Sequence, residues 1–329
     1  MKNLMLALLS LVVLYSCSES KSKTKATSQD AMAHSVGRIN ELSVIVDNEL
    51  WKGAVGDSIR KYFGAEVPGL PQEEPLFSMR QMPPVAFSGM ARKNRTFLKI
   101  EKTATNGINV LKNKFATPQV GAVISGTTDE EIVDLIRQNV DKIVRDYKNV
   151  ETVEKQKRIK KSLEKIPQLK NNFGITMKVP SAYRIAKDED KFMWIRKDIP
   201  QGSMNLMVYE LPAKAITRDS TTVSQIIKMR DSIGALNIPT SATGKFITEK
   251  AYAPYLFENT LDGKFALETK GIWEIKDRFM SGPFVNYIIE DEANDRTLVL
   301  EGFVFAPSVR KRDKMFELEA IMKTVSFIK

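Results

Sequence analysis

The chain carries a single cysteine, Cys17, in 329 residues, so its fold is held without an internal disulfide. Stability must come from a buried apolar core, backbone ladders and polar pairing. Cys17 sits just after an apolar run, Leu4 to Leu14, that is interrupted only by Ser10 and preceded by Lys2. The run is about half of the roughly 20 residues that a bilayer-crossing helix needs, so residues 1–16 read as a secretion signal absent from the mature protein. An exported chain that avoids cysteine elsewhere also avoids mispairing in an oxidising compartment.

Leu14-Tyr15-Ser16-Cys17 resembles the end of a bacterial lipoprotein signal, with a small residue before the cysteine; Tyr15 is bulkier than the usual residue at its place. The resemblance implies acylation of Cys17, palmitate-type chains included, and the lipid bilayer as a partner. One acyl chain holds only marginally, so stable anchoring needs several. Ser18 in place of Asp after the cysteine favours, by the same resemblance, the outer membrane, with the protein facing the periplasm. Residues 17–36 are polar and almost free of large apolar side chains, which predicts a lipidated flexible tether. His34, the only histidine, falls in it and reads as a solvated residue, because a metal site needs convergent partners.

The remaining segment, about 290 residues, is long for one core and predicts two domains, 37–149 and 171–329, joined by a basic linker helix over 150–170. The formal net charge is +10. Export argues against nucleic acid as the partner, and the positive residues are spread along the chain, which suits a basic soluble surface.

In the first domain Leu42, Val44 and Val46 alternate as a strand, and Trp51, Val55, Ile59, Tyr62 and Phe63 recur at helical spacing. A proline-rich loop, Gly64 to Pro84, follows; it must be held by side-chain contacts or stay mobile. Strands are predicted at Val85–Ser88, Thr96–Lys102, Asn109–Phe115 and Gln119–Ser125. Thr127-Thr128-Asp129-Glu130-Glu131 is a helix-start signature ahead of Ile132, Ile136, Val140, Ile143 and Tyr147. In the linker, Lys155, Lys157, Arg158, Lys160, Lys161 and Lys165 interleave with Ile159, Leu163 and Ile166. Such a stretch gives either a linker helix packed on a domain or a cationic face for anionic lipid. In the second domain strands are expected at Phe173–Val179, Phe192–Arg196, Leu206–Leu211, Lys245–Lys250, Phe265–Glu274, Phe284–Glu290 and Leu298–Phe305. A helix follows Asp219–Thr222, and another spans Val309–Lys323. The fold class is α+β, with two α/β-sandwich-like domains, the second loosely similar in outline to the Mog-one/PsbP-like fold.

The pattern from Glu268 through Gly271, Trp273 and Gly282-Pro283-Phe284 is the most distinctive in the chain. With Leu50-Trp51-Lys52-Gly53, Gly69-Leu70-Pro71, Glu301 to Pro307 and Leu318 to Ile321, it resembles a bacterial lipoprotein family, the domain-of-unknown-function family 4837. The resemblance spans nearly all of the mature chain. It implies the lipoprotein address and the two-part architecture, and it brings no catalytic residues with it.

A Ser-His or Cys-His hydrolase needs an imidazole beside its nucleophile, and here the lone histidine and lone cysteine lie in or before the tether. No phosphate-cradling glycine loop or G-x-S-x-G elbow occurs, and zinc would lack His and Cys ligands. Ser162-Leu-Glu-Lys165 fits S-x-x-K but lies in a lysine-dense stretch. Carboxylate chemistry survives: Glu268, Glu274 and Asp277 beside Trp273 could act on a glycan, and an aromatic can stack on a sugar. Trp51, Trp273, Glu268 and Glu274 are therefore the candidate ligand-facing residues. The acidic turn Glu290–Asp295 lacks the spacing of a calcium loop. The expectation is a membrane-anchored envelope lipoprotein acting as a binding or assembly module, without catalysis, cofactor or metal, its partner an envelope protein or glycan. The alternatives are a carboxylate-dependent glycan-acting enzyme and a spacer docking on anionic lipid.

Overall fold

Alternation at Leu42 and Val44 builds strand β1 (Glu41–Ile45) of the computed structural model, which describes residues 32–240, 244–276 and 278–328. The signal, Cys17, most of the tether and Asp277 lie outside the described residues. Before β1 the chain is already pinned: the Ser35 and Val36 amides donate to the Thr117 and Lys93 carbonyls at 3.1 and 2.9 Å.

Helices α1 (Asn48–Lys52) and α2 (Ala54–Phe63), strands β2 (Ser78–Met82), β3 (Thr96–Lys102), β4 (Gly107–Lys112) and β5 (Val120–Gly126), and helix α3 (Asp129–Ile159) complete the first half. Its five-stranded sheet runs β2-β1-β3-β5-β4, parallel except for the β4–β5 pair. Leu42, Val44, Leu98, Ala122 and Ile124 face Val55, Ile59 and Phe63 of α2 and Ile132, Ile136, Ile143 and Tyr147 of α3. Each of the Val, Leu, Ile and Phe side chains among them, fully buried, contributes about 1.5–3 kcal/mol. A capping box starts α3: Thr128 Oγ1 accepts the Glu131 amide at 3.3 Å, and the Glu131 carboxylate accepts the Thr127 amide at 2.8 Å. Residues Val85–Ser88 do not form the expected strand. Pro83 and Pro84 supply no N–H to a ladder, and Pro84–Ala86 is a 3-10 turn over the far face of the sheet.

Among the described residues no separate linker helix spans 150–170. α3 continues for 31 residues to Ile159, the chain turns through Lys160–Ile166, and a short α4 (Pro167–Phe173) follows. Gly174 ends α4 in the left-handed conformation, so the strand expected over Phe173–Val179 shrinks to β6 (Ile175–Thr176). Then come β7 (Arg184–Glu189), β8 (Phe192–Ile199), β9 (Gly202–Pro212), α5 (Thr222–Asn237), β10 (Phe246–Thr248), β11 (Tyr255–Leu261), β12 (Lys264–Ile275), β13 (Ser281–Asp291), β14 (Arg296–Phe305), α6 (Arg312–Met322) and β15 (Ser326–Phe327). The large sheet is antiparallel, ordered β10-β12-β13-β14-β9-β8-β7 with β11 also on β12. One face packs Trp273, Phe284, Val299 and Phe303 against Ile226 of α5, and the other packs Val285, Tyr287, Leu300 and Val304 against Leu318, Ile321 and Met322 of α6. Burial on both faces explains why β13 and β14 read as continuous apolar runs rather than alternating ones. The protein is thus α+β, with two sandwiches.

The halves share α3. Its last turn places Ile159 in the core of the large sheet, Lys155 Nζ meets Glu317 at 2.6 Å, and Gln156 donates to the Ala320 carbonyl at 3.1 Å. Among the described residues no helix is long and apolar enough to cross a membrane.

Candidate functional site

The proline-rich loop is held at both ends of its excursion. Val67 N–H donates to the Glu74 carbonyl at 2.9 Å and Leu76 N–H to the Ala65 carbonyl at 2.7 Å, closing residues 66–75 into a hairpin-like excursion. Buried Glu74 then reaches the other half: its carboxylate accepts the Lys311 and Arg312 amides at 2.5 and 3.1 Å, capping the first turn of α6. At the tip Gly69, with φ +78°, lies flat on β12, where a Cβ would stand 2.9 Å from the Gly271 nitrogen. Two distinctive stretches of sequence, Gly69-Leu70-Pro71 and Gly271-Ile272-Trp273, are thereby brought together.

Between this loop and the sheet edge runs a groove of about 500 Å³, lined by the 66–73 loop, Ala251–Ala253, Tyr255, Gly271 and Ile272. Tyr252 and Tyr255 are exposed there, and Tyr255 stacks parallel to Phe257 at 6.5 Å. Glu66 and Glu73 hang over it without an ion pair among the described residues.

The sequence candidates fall elsewhere. Trp51 is half-buried on the first core with the Arg60 guanidinium 4.5 Å over its ring. Trp273 is 2 % exposed, stacks on Phe246 at 5.0 Å and donates to the Val304 carbonyl at 3.3 Å. Glu268 and Glu274 share a face of β12 but stand six residues, about 20 Å, apart; paired glycosidase acids lie about 5–10 Å apart. Glu268 is buried, which opposes its charge, yet Lys270 at 3.0 Å, Lys323 and a 2.6 Å bond from Asn259 hold its pKa below the usual range. Glu319, also on Lys270 at 2.9 Å, completes a buried cluster in which Lys270 is kept charged against its desolvation. Glu274 instead hydrogen-bonds Glu249. Burial first and then that neighbour raise the Glu274 pKa, while backbone and Glu274 bonds lower that of Glu249. In the acidic turn Asp291 is bound by Arg296 at 2.8 Å and Lys264 at 3.0 Å, and among the described residues no cluster of His, Cys, Asp and Glu could hold a metal. Ser162 bonds Ser181 at 2.8 Å, and no bond joins it to Lys165 among the described residues.

Several charged residues that sequence reasoning passed over are buried. Arg95 and Glu151 pair at 2.9 Å, 2 % and 0 % exposed, and Arg230 grips Glu301 at 3.0 and 2.7 Å beneath α5. Lys148, at the seam of the halves, donates to Asn40 Oδ1 and the Leu76 carbonyl at 2.9 and 2.7 Å, with Phe77 4.4 Å from its ammonium. Burial, then the charge of Arg312, pulls its pKa down to about 7. A charge spaced to fall on a helix's inner face was the available signal, as at Glu151 four residues after Tyr147.

Residues 162–324 match the family model described as domain of unknown function (DUF4837). This segment belongs to that family. The match corrects the extent of the expected resemblance: residues 35–160, including Leu50–Gly53 and Gly69–Pro71, match a different model, domain of unknown function (DUF8532). The groove therefore joins the DUF4837 segment to its neighbour. Solved structures similar to the chain include the Saccharomyces cerevisiae Ran-binding protein Mog1p, with 12% identity over 47% of this chain and 91% of that one at a TM-score of 0.30. Another is Mycobacterium tuberculosis LpqN, involved in cell envelope biogenesis, with 12% identity over 47% and 83% at 0.28. A search among curated proteins found no match.

Proposed function

We propose that the protein is a lipid-anchored module of the bacterial envelope that binds a partner, without catalysis, in the groove between the 66–73 loop and β11. The observation that carries this reading is the groove itself: exposed aromatic rings beside a loop clamped at Gly69 and Glu74 form a pre-shaped concavity, as binding sites do. The buried state of Trp273 and the engagement of the ionised Glu268 by Lys270 and Asn259 support the non-catalytic part. The test is a photo-cross-linking residue at Gln72 in cells producing the full chain, with Arg137, exposed on α3, as control. Adducts to one envelope component from position 72 alone are expected. Equal adducts from both positions, or turnover of cell-wall glycan by the mature protein, would overturn the reading.

A second reading has its own support. Lys157 Nζ lies 3.3 Å from His34 Nδ1, where the chain enters, and exposed Lys160, Lys161 and Lys165 follow in the adjoining turn. A cationic surface there suits anionic lipid headgroups. Vesicles rich in phosphatidylglycerol should bind the lipid-free mature chain, more weakly as salt rises; binding unaltered in K160E/K161E/K165E would sink it.

A further inference from the structure

We infer that the outer edge of β11 is a strand-addition site for an extended polypeptide segment carrying apolar residues and at least one basic residue. The inference rests on the reading of this end of the molecule as its binding face, and it names the class of partner.

The β11–β12 connection is a two-residue turn, Asp262 and Gly263, with φ +48° and +76°. Both angles positive identify the type I′ hairpin turn, whose flanking pair, Leu261 and Lys264, is a hydrogen-bonded pair. Antiparallel pairs alternate between bonded and non-bonded. Counting back, Asn259, Phe257 and Tyr255 turn their backbone groups towards β12, and Thr260, Glu258 and Leu256 turn theirs outwards. The Thr260 amide is taken up locally by Asn259 Oδ1 at 2.7 Å. Glu258 and Leu256 are left with N–H and C=O groups at ladder spacing, and among the described residues no strand other than β12 pairs with β11.

The side chains fit the same role. Tyr255, Leu256 and Phe257 are 53%, 36% and 41% exposed, three successive apolar residues on an open edge. Natural sheets blunt such edges with charge and bulges. The opposite edge of this sheet does so: β7 carries Arg184, Lys187, Asp188 and Glu189 and has a register shift between Ile185 and Lys187. β11 has one charge, Glu258.

A row of amides and carbonyls at strand repeat is matched by another polypeptide backbone, and neither a sugar nor an acyl chain offers that repeat. Glu258, Glu66 and Glu73 make no ion pair among the described residues, in a chain of net charge +10. Glu258 lies on the edge strand itself and Glu66 and Glu73 line the groove with Tyr255 on the other face, so a basic residue in the added strand is favoured on either face. A second copy of this chain is disfavoured, because it would bring two strongly basic bodies together.

The test selects displayed random peptides on the mature chain and follows amide hydrogen exchange with the selected peptides bound. Slowing by at least about tenfold at Leu256 and Glu258 is expected, lost in Glu258→Pro, which removes an outward N–H and leaves the β12 ladder, and weakened in Phe257→Ala. Protection confined to the groove loop, no selected peptide, or a β11-mediated dimer of the chain would each overturn the inference. Because exchange in the wild-type chain carries the result, a poorly folding proline variant does not remove the test. Failure here leaves the cross-linking outcome at Gln72 standing, so the two readings fail separately.

Discussion

Gly69 rests directly on Gly271, backbone against backbone, and this contact fixes the tip of the proline-rich loop over the sheet. A methyl at Gly69 would meet the Gly271 nitrogen at 2.9 Å and force a side chain into φ +78°. Gly69→Ala is therefore expected to lower stability by about 1–3 kcal/mol and to speed amide exchange in residues 66–73. Urea unfolding together with exchange rates checks it; unchanged loop exchange would show that the contact does not hold the loop.

Lys148 gives a pH signature. Its folded pKa of about 7 lies below the ordinary lysine value of 10.5, so between these values the unfolded chain holds a proton that the folded chain has released. Stability should climb as pH rises from about 7 towards 10, by about 2–4 kcal/mol, and show no such climb from this group below 7. Buried Tyr147, Tyr183, Tyr209 and Tyr287 resist ionisation in the fold and reverse the trend only above their ordinary value of 10.0. Denaturant midpoints between pH 7 and 9.5 should rise in the wild type and stay flat in Lys148→Met.

The Arg95–Glu151 pair ties the entering chain to α3, since Arg95 also donates to the Arg38 carbonyl at 2.8 Å and Glu151 accepts the Asn40 amide at 3.1 Å. Glu151→Ala leaves the buried Arg95 guanidinium with Glu154, at the longer distance of 3.9 Å, as its remaining carboxylate, and is expected to cost about 3 kcal/mol. The double replacement Arg95→Met/Glu151→Leu should recover a large part of that loss, as measured by urea denaturation.

Glu249 and Glu274 should titrate apart. Carboxyl carbon NMR is expected to find Glu274 above and Glu249 below the ordinary glutamate value of 4.5, with Glu249→Gln moving Glu274 down towards it. Raised in the fold, Glu274 adds stability that is present below its unfolded pKa and lost as pH rises through its folded one. Coincident midpoints would mean that the two carboxyls do not share a bond.

Much of the fold is written locally. The period-two run at Leu42 and Val44 and the capping box at Thr128 and Glu131 announce β1 and α3 because the responsible groups are sequence neighbours. α3 outran its expected end because Glu151 and Glu154 face inwards, where an apolar stripe would have continued; they are buried against Arg95, a partner far off in sequence. β11 gave no alternation, since of its seven residues only Leu261, beside the turn, is buried, and it is a strand because β12 makes it one. Trp273, set among apolar neighbours in the sequence, lies in a core rather than on a sugar platform, while the groove joins residues about 200 positions apart, a separation that no local pattern encodes.

The long helix α3 is a beam shared by two roofs. Two family matches meet beside its carboxyl end, yet Ile159 on its final turn lies under the neighbouring roof. Cutting the gene at that seam would leave each fragment with a bare apolar scar. Fragments made apart should cling to each other when mixed, because the surface each exposes is the other's core.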